Sequence, residues 1–165
     1  MDQSSPFEDQ LASLLPRLRR FAHALSRNPA DADDLTQSTI ERALRSKSQW
    51  QPGTRLDSWA YRIMRNLWID TTRARSRKNA REAPEEEGLS VGEDPREAID
   101  AAVDMKRIMA TMSRLPDEQR EVVALILVEG FGYREVSEML GLPIGTVSSR
   151  LVRGRTALVA MVGER

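Results

Sequence analysis

The chain has 165 residues, with 25 Lys+Arg, 25 Asp+Glu and a single histidine, a length that fits one compact domain or two small ones. It has no cysteine, which excludes disulfides, thiolate zinc sites and cysteine nucleophiles. No apolar run approaches the ~18 residues of a membrane span, and the opening "MDQSSPFEDQ" lacks the regions of a signal peptide, so a soluble, cytoplasmic protein without membrane insertion is expected.

The zero net charge hides an uneven distribution. Residues 1–80 carry 14 basic and 9 acidic side chains, residues 81–104 carry 2 and 9, and residues 105–165 carry 9 and 7. Two positive ends joined by a negative middle is the asymmetry that needs a reason.

In chain order the pattern is helical almost throughout. Leu11, Leu14, Leu15, Leu18, Phe21, Ala22 and Leu25 recur at helical spacing, and Pro16 predicts a kink or a late helix start. "RNPADADD" places acids in the first turn of a second helix, Ala32 to Ser46, where they suit the helix dipole. "SQWQPGT" carries a Pro-Gly turn signal. A third helix runs from Asp57 to about Arg75, with Leu56, Trp59, Ala60, Ile63 and Leu67 on one face. "EAPEEEGLSVGEDPRE" lacks apolar periodicity and reads as a flexible acidic linker. Helices are then expected over Ile99 to Ser113 and within "LPDEQREVVALILVEGFG", the latter capped and ended by glycine. No alternating strand pattern of useful length occurs. The expected fold class is all-α: two small helical domains, 1–80 and 104–165, joined by a flexible acidic linker, 81–103.

The last stretch, "YREVSEMLGLPIGTVSSRLVRGRTAL", carries the clearest chemistry. Val136, Met139 and Leu140 form one apolar face, Gly141 stands where a C-cap needs a left-handed residue, and Pro143 stands at the start of the next helix. Two helices joined by a short glycine-containing turn make a helix-turn-helix. In the second helix Val147, Leu151 and Leu158 face inward. Thr146, Ser148, Ser149, Val152, Arg153 and Thr156 are the outward set, flanked by Arg150 and Arg155. Small polar residues followed by arginines suit a DNA major groove. An ordinary helix pair with a solvated basic face is the competing reading. The absence of any acid from Ile144 to Gly163 favours DNA.

The third helix, "LDSWAYRIMRNLWIDTTRARSRKNAR", is the second basic surface. Arg62, Arg65, Arg73, Arg75, Arg77, Lys78 and Arg81 oppose only Asp57 and Asp70. Tyr61, Asn66 and Trp68 are expected among the basic groups, off the buried face, where aromatics and an amide suit extracted bases. Trp59 is expected in the core.

Taken together, "LLPRLRRFAHALSRNPADADDLTQSTIERALR", "PGTRLDSWAYRIMRNLWID" and "LPDEQREVVALILVEGFGYREVSEMLGLPIGTVSSRLVRGRTAL" resemble a bacterial RNA polymerase sigma factor of the extracytoplasmic-function group, over about Leu14 to Leu158. The resemblance implies a region 2 domain that docks on core polymerase and opens the −10 element, a region 4 domain that reads the −35 element as duplex, and no chemistry of its own. It implies core polymerase, promoter DNA and an anti-sigma factor as partners, and no cofactor. By position, Asp34, Leu35, Gln37 and Arg42 match the clamp-binding segment; the family often has an acid where this chain has Ser38. Gln51, Thr54 and Arg55 match the loop that accepts a flipped base, and Tyr61, Arg62, Arg65, Asn66 and Arg73 the helix beside it. Thr146, Ser148, Ser149, Val152 and Arg153 match base-facing positions, with Arg150 and Arg155 at phosphates. The family's linker runs along the basic nucleic-acid channel of polymerase, where carboxylates resemble an RNA backbone.

Three other classes compete with this reading. A sigma-mimic that sequesters an anti-sigma factor would normally carry a phosphoacceptor domain, for which this chain has no room. A dimeric helix-turn-helix regulator does not need the clamp-like block. An enzyme is disfavoured: His23, expected as a partly buried helix residue, is the only histidine, and no phosphate loop or metal-ligand spacing occurs.

Overall fold

The computed structural model describes residues 6–81 and 101–163. Eight α-helices follow in order: α1 Pro6–Ser13, α2 Leu15–Ser26, α3 Pro29–Arg45, α4 Leu56–Arg81, α5 Ala101–Met112, α6 Asp117–Val123, α7 Tyr133–Leu140 and α8 Ile144–Gly163. A 3-10 turn, Lys47–Gln49, lies between α3 and α4, and a π turn, Ala124–Val128, continues α6. No strand occurs among the described residues, and no helix there is long and apolar enough to cross a membrane. The expected acidic linker, but for its ends, lies outside the described residues.

Local chemistry sets the helix ends. Pro16 falls in the first turn of α2, where its missing N–H costs nothing, and the chain breaks at Leu14 before it. The late start read from Pro16 is therefore observed. Helix α3 starts three residues before the expected Ala32: the Asn28 side chain accepts from the Asp31 N–H at 3.1 Å, and Pro29 opens the helix. Helix α4 runs to Arg81, beyond the expected end near Arg75. The helix after "LP" has no side-chain cap; Pro116 occupies the capping position.

Two apolar clusters hold the fold. The smaller packs Phe7 and Leu11 of α1 against Ala43 and Leu56, with Trp50 and Trp59 partly buried against them. The Phe7 ring lies 5.4 Å from that of Trp50 and 6.0 Å from that of Trp59. This cluster fixes both ends of the loop 51–55. Trp59 is thus part of a core, though a satellite one.

The larger cluster is continuous from α2 to α8, with Phe21, Met64, Leu125, Val136 and Leu151 all members. The two halves expected on a tether share this one core. Its buried face on α4 is Ala60, Tyr61 and Met64; of the expected face Leu56, Trp59, Ala60, Ile63 and Leu67, Leu56 and Ala60 are buried, Leu67 packs partly against this cluster, and Trp59 and Ile63 pack against the smaller one. Tyr61 is 1% exposed, and the expectation that it lies off the buried face is corrected. Trp68 is half-buried against the same core, beneath the Arg75 guanidinium at 5.6 Å. His23, by contrast, is exposed on α2, not partly buried.

Arg120 sits at the junction of the halves, 2% exposed. Its guanidinium donates to the carbonyls of Ala24, Leu25 and Leu115 and to Asp117. Burial lowers its pKa, against the opposing charge of Asp117, yet an arginine stays protonated in a protein. The first two acceptors belong to the last turn of α2, whose carbonyls have no partner within their own helix. A buried cation is costly alone. Here four acceptors offset that cost, so Arg120 caps α2 from the other half of the molecule.

Candidate nucleic-acid interface

The helix-turn-helix forms as its sequence implies. Gly141 ends α7 in the left-handed region (φ 65°), and its N–H reaches the Ser137 carbonyl. Ser137 Oγ donates to the Leu142 carbonyl at 2.5 Å, which ties the turn to α7. On α8, Val147 and Leu151 are buried and Leu158 packs partly against the core. Gly154 is buried too, and a Cβ there would come within 2.6 Å of Val123 Cγ2 and 3.3 Å of Gln119 Cβ. The missing side chain lets α6 and α8 approach closely.

The opposite face of α8 is open. Ser149, Val152, Arg153, Arg155 and Thr156 are exposed, and Thr146, Ser148 and Arg150 are partly so. Arg150 lies 3.8 Å from Glu118 at the head of α6. A groove lined by Gln119, Thr146, Ser149, Arg150 and Arg153 opens beside the start of the helix. All seven residues expected at the −35 element therefore fall on one accessible surface, and no acid of α8 opposes them.

The surface of α4 is different. Its preceding loop turns at Pro52-Gly53 (Gly53 φ 92°), closed by the Thr54 N–H to the Gln51 carbonyl at 3.1 Å. Gln51, Thr54, Asn66 and Arg73 are exposed. The other four residues expected at the −10 element meet the second half of the chain. Arg55 donates to Glu135 at 2.5 Å and to Asp57 at 2.8 Å. Arg62 donates to the Glu138 carbonyl at 3.1 Å, Arg65 pairs with Glu121, and the Tyr61 hydroxyl donates to Glu129 at 2.9 Å.

Glu129 is the centre of that contact. It follows the π turn, with its N–H bonded to the Ala124 carbonyl at 2.9 Å, and its side chain is 1% exposed. Arg20 grips it through two hydrogen bonds of 2.8 Å, and Arg17 reaches it at 3.4 Å. Burial, then the charge of Glu129, raises the Tyr61 pKa far above its ordinary value, so the phenol keeps its proton. Tyr61 also stacks edge-on between Phe21 and Phe131, with centroids at 4.9 and 5.3 Å. Arg55 lies over the Phe131 ring at 4.8 Å.

On α3, Asp34, Gln37 and Arg42 are exposed, as is Ser38, whereas Leu35 is 5% exposed and belongs to the core. Three of the four clamp-matching residues are thus presented outward. Leu35 anchors the helix beneath them. Arg75 pairs with Asp31 at 2.7 Å, which joins α4 to α3 and lowers the Asp31 pKa through that hydrogen bond. Sequence reasoning missed Arg17, Arg20, Arg120, Glu121 and Glu129. The one local signal was a lone carboxylate closing the apolar run "VVALILVEGFG".

Comparison with known proteins follows the same division. Residues 11–78 match Sigma-70 region 2, and residues 105–158 match Sigma-70 region 4. The chain is 33% identical over 165 residues to the ECF RNA polymerase sigma factor EcfG of Rhodopseudomonas palustris, covering 98% of this chain and 88% of that one. It is 41% identical over 145 residues to the ECF sigma factor SigE of Mycolicibacterium smegmatis, covering 86% of this chain and 56% of the relative. Its fold is similar to that of the sigma factor RpoE of Bartonella quintana, solved in complex with the anti-sigma factor NepR. That match has a TM-score of 0.82 and 28% identity, and covers 96% of this chain and 98% of the other. The two matched regions and the full-length likeness to EcfG carry one conclusion: the chain belongs to the extracytoplasmic-function sigma factors of the sigma-70 family, non-catalytic factors of promoter-specific transcription initiation.

Proposed function

We propose that this chain binds core RNA polymerase and directs it to a two-part promoter. In this reading α8 lies in the major groove of the −35 element, where Ser148, Ser149, Val152 and Arg153 meet base edges and Arg150 and Arg155 meet phosphates. The loop 51–55 and α4 then open the −10 element, with Asn66 pairing the edge of an extruded base. Asp34, Gln37 and Arg42, exposed on α3, contact the polymerase clamp. The single observation that carries the reading is the acid-free outer face of α8, placed by a helix-turn-helix within a chain that matches both sigma regions. The sigma factor of Bartonella quintana was solved with an anti-sigma factor, and a partner of that kind in the cytoplasm is part of the proposal.

Run-off transcription with core polymerase on a genomic fragment library tests it. Initiation at a shared two-part sequence is the expected result. No initiation on any fragment, together with tight binding to an anti-sigma factor, would identify a sigma-mimic instead.

A further inference from the structure

We propose that Phe7, on α1, is a positioning residue for the −10 loop: its ring pins both ends of the loop 51–55 and so presets the loop for an extruded base. The inference rests on the assignment of that loop to the −10 element made above. Phe7 is 3% exposed and lies before residue 11, where the match to Sigma-70 region 2 begins, so no part in promoter opening comes to it from that match.

Gln51 to Arg55 are all exposed. The Thr54 N–H and hydroxyl both donate to the Gln51 carbonyl, at 3.1 and 2.6 Å. These bonds shape the turn but do not seat it on the rest of the fold. The seat is at the ends: Trp50 precedes the loop, Leu56 follows it, and both join the cluster that Phe7 fills. The Phe7 ring lies tilted against Trp50 at 5.4 Å and edge-on to Trp59, in the first turn of α4, at 6.0 Å. The Trp50 indole N–H is buried and has no hydrogen-bond partner among the described residues. Ring packing, not a polar bond, therefore fixes the Trp50 side chain, and Phe7 supplies a ring to that packing. Lys47 adds to the hold. Its ammonium lies 5.6 Å from the Phe7 centroid and 3.2 Å from Glu8, which ties the turn before Trp50 to α1. A loop already held in its binding geometry loses less conformational entropy on capture than one with loose ends. Loosening Phe7 should weaken base capture and leave the outer faces of α3 and α8 as they are.

The test uses polymerase carrying the full-length chain and the single-stranded −10 segment of a promoter found by run-off transcription, intact or with one base at a time removed. For the natural chain, removing the captured base should weaken binding most. Phe7→Leu keeps an apolar side chain in the cluster and removes the ring. It should weaken binding of the intact segment about tenfold, the order expected when a preset site must be ordered on binding, and barely change binding of the segment that lacks the captured base. Core binding and affinity for −35 duplex should not change. Lys47→Gln, at an exposed position, should act in the same direction by about twofold, since exposed contacts contribute little, and it decides the matter should Phe7→Leu not fold. Equal losses on intact and abasic segments, or a matching loss on −35 duplex, would make Phe7 a support of the fold alone and overturn the proposal. Unchanged binding in a folded Phe7→Leu chain would overturn it too. A natural chain for which no single base matters would instead remove the −10 assignment of the loop, and the proposal with it.

Discussion

The faces of α8 and α4 were legible in the sequence by the same sign, arginines with few opposing acids, yet the fold treats them oppositely. On α8, Arg153 and Arg155 are exposed and make no ion pair among the described residues. On α4 and the loop before it, Arg62, Arg65 and Arg55 reach acceptors on α6 and α7. A run of arginines therefore states what a surface binds, without stating whether the surface is free. The difference arises because the acids facing α4 lie 56 to 80 residues away along the chain. Toward α8, α6 sets Glu118 3.8 Å from Arg150, whose charge also reaches Glu121, and neither acid pairs with Arg153 or Arg155 among the described residues.

The largest expected effect comes from removing the anchor of the covered side. Arg120→Met leaves two buried carbonyls of α2 without a donor. It should cost about 3 kcal/mol or more, since each unsatisfied buried group costs about 1–3 kcal/mol. Thermal unfolding should shift down by about 10 °C, at about 2–4 °C per kcal/mol for a chain of this size. A change below 2 °C would mean that Arg120 does not hold the halves together.

On the open side, Gly154→Ala sets two terms against each other. Helix propensity favours alanine by about 1 kcal/mol. The added Cβ meets Val123, itself 1% exposed and unable to swing away, and overpacking of this kind costs about 1–3 kcal/mol. Overlap should win. The variant should be less stable by about 1 kcal/mol, read by urea denaturation, and should bind duplex promoter DNA more weakly because α8 is pushed off α6.

Within α8 two nearby arginines should behave differently. Arg153→Ala should cost about 1–3 kcal/mol at one base position and relax preference there. Arg155→Ala should weaken binding to all sequences and lower the salt slope by about one. Equal, sequence-independent losses would make both phosphate contacts.

The helix-turn-helix was legible because its determinants are local: Gly141, Pro143 and the Val147–Leu151 spacing each specify their own few residues. The shared core and the burial of Tyr61 were not, because each depends on a partner far along the chain. Tyr61 reads as a surface aromatic from its arginine neighbours and is buried because Phe21 of α2 packs on one side while Phe131 and Glu129 arrive from the other half. His23 failed for the converse reason. Its apolar neighbours Ala22, Ala24 and Leu25 are buried, while the helix turns His23 outward.

A smaller effect concerns pH. The hydrogen bond from Arg75 holds Asp31 below the usual carboxylate range. At Asp57 burial opposes ionisation, but Arg55, the Ser58 N–H and Arg17 outweigh it and the net shift is also downward. A depressed carboxylate stabilises the fold above its unfolded pKa, near 4, and that contribution is lost as pH falls through the folded value. Asp31→Asn should therefore flatten the acid limb of the stability profile below about pH 4, and leave its neutral plateau lower by no more than about 1 kcal/mol, because the Arg75 partner is half-exposed.

The division of labour between the two faces is tested most directly at Asn66, exposed on α4 and outside the contacts that cover its neighbours. Extruding a base costs a few kcal/mol of stacking and pairing, which a matched amide helps to offset. Permanganate footprinting of polymerase carrying Asn66→Ala, on a matched promoter and on one pre-melted across the −10 element, measures that contribution. Intact core binding and −35 recognition, reduced reactivity on the matched duplex and partial recovery on the pre-melted template are the expected results. Full reactivity on the duplex would contradict them.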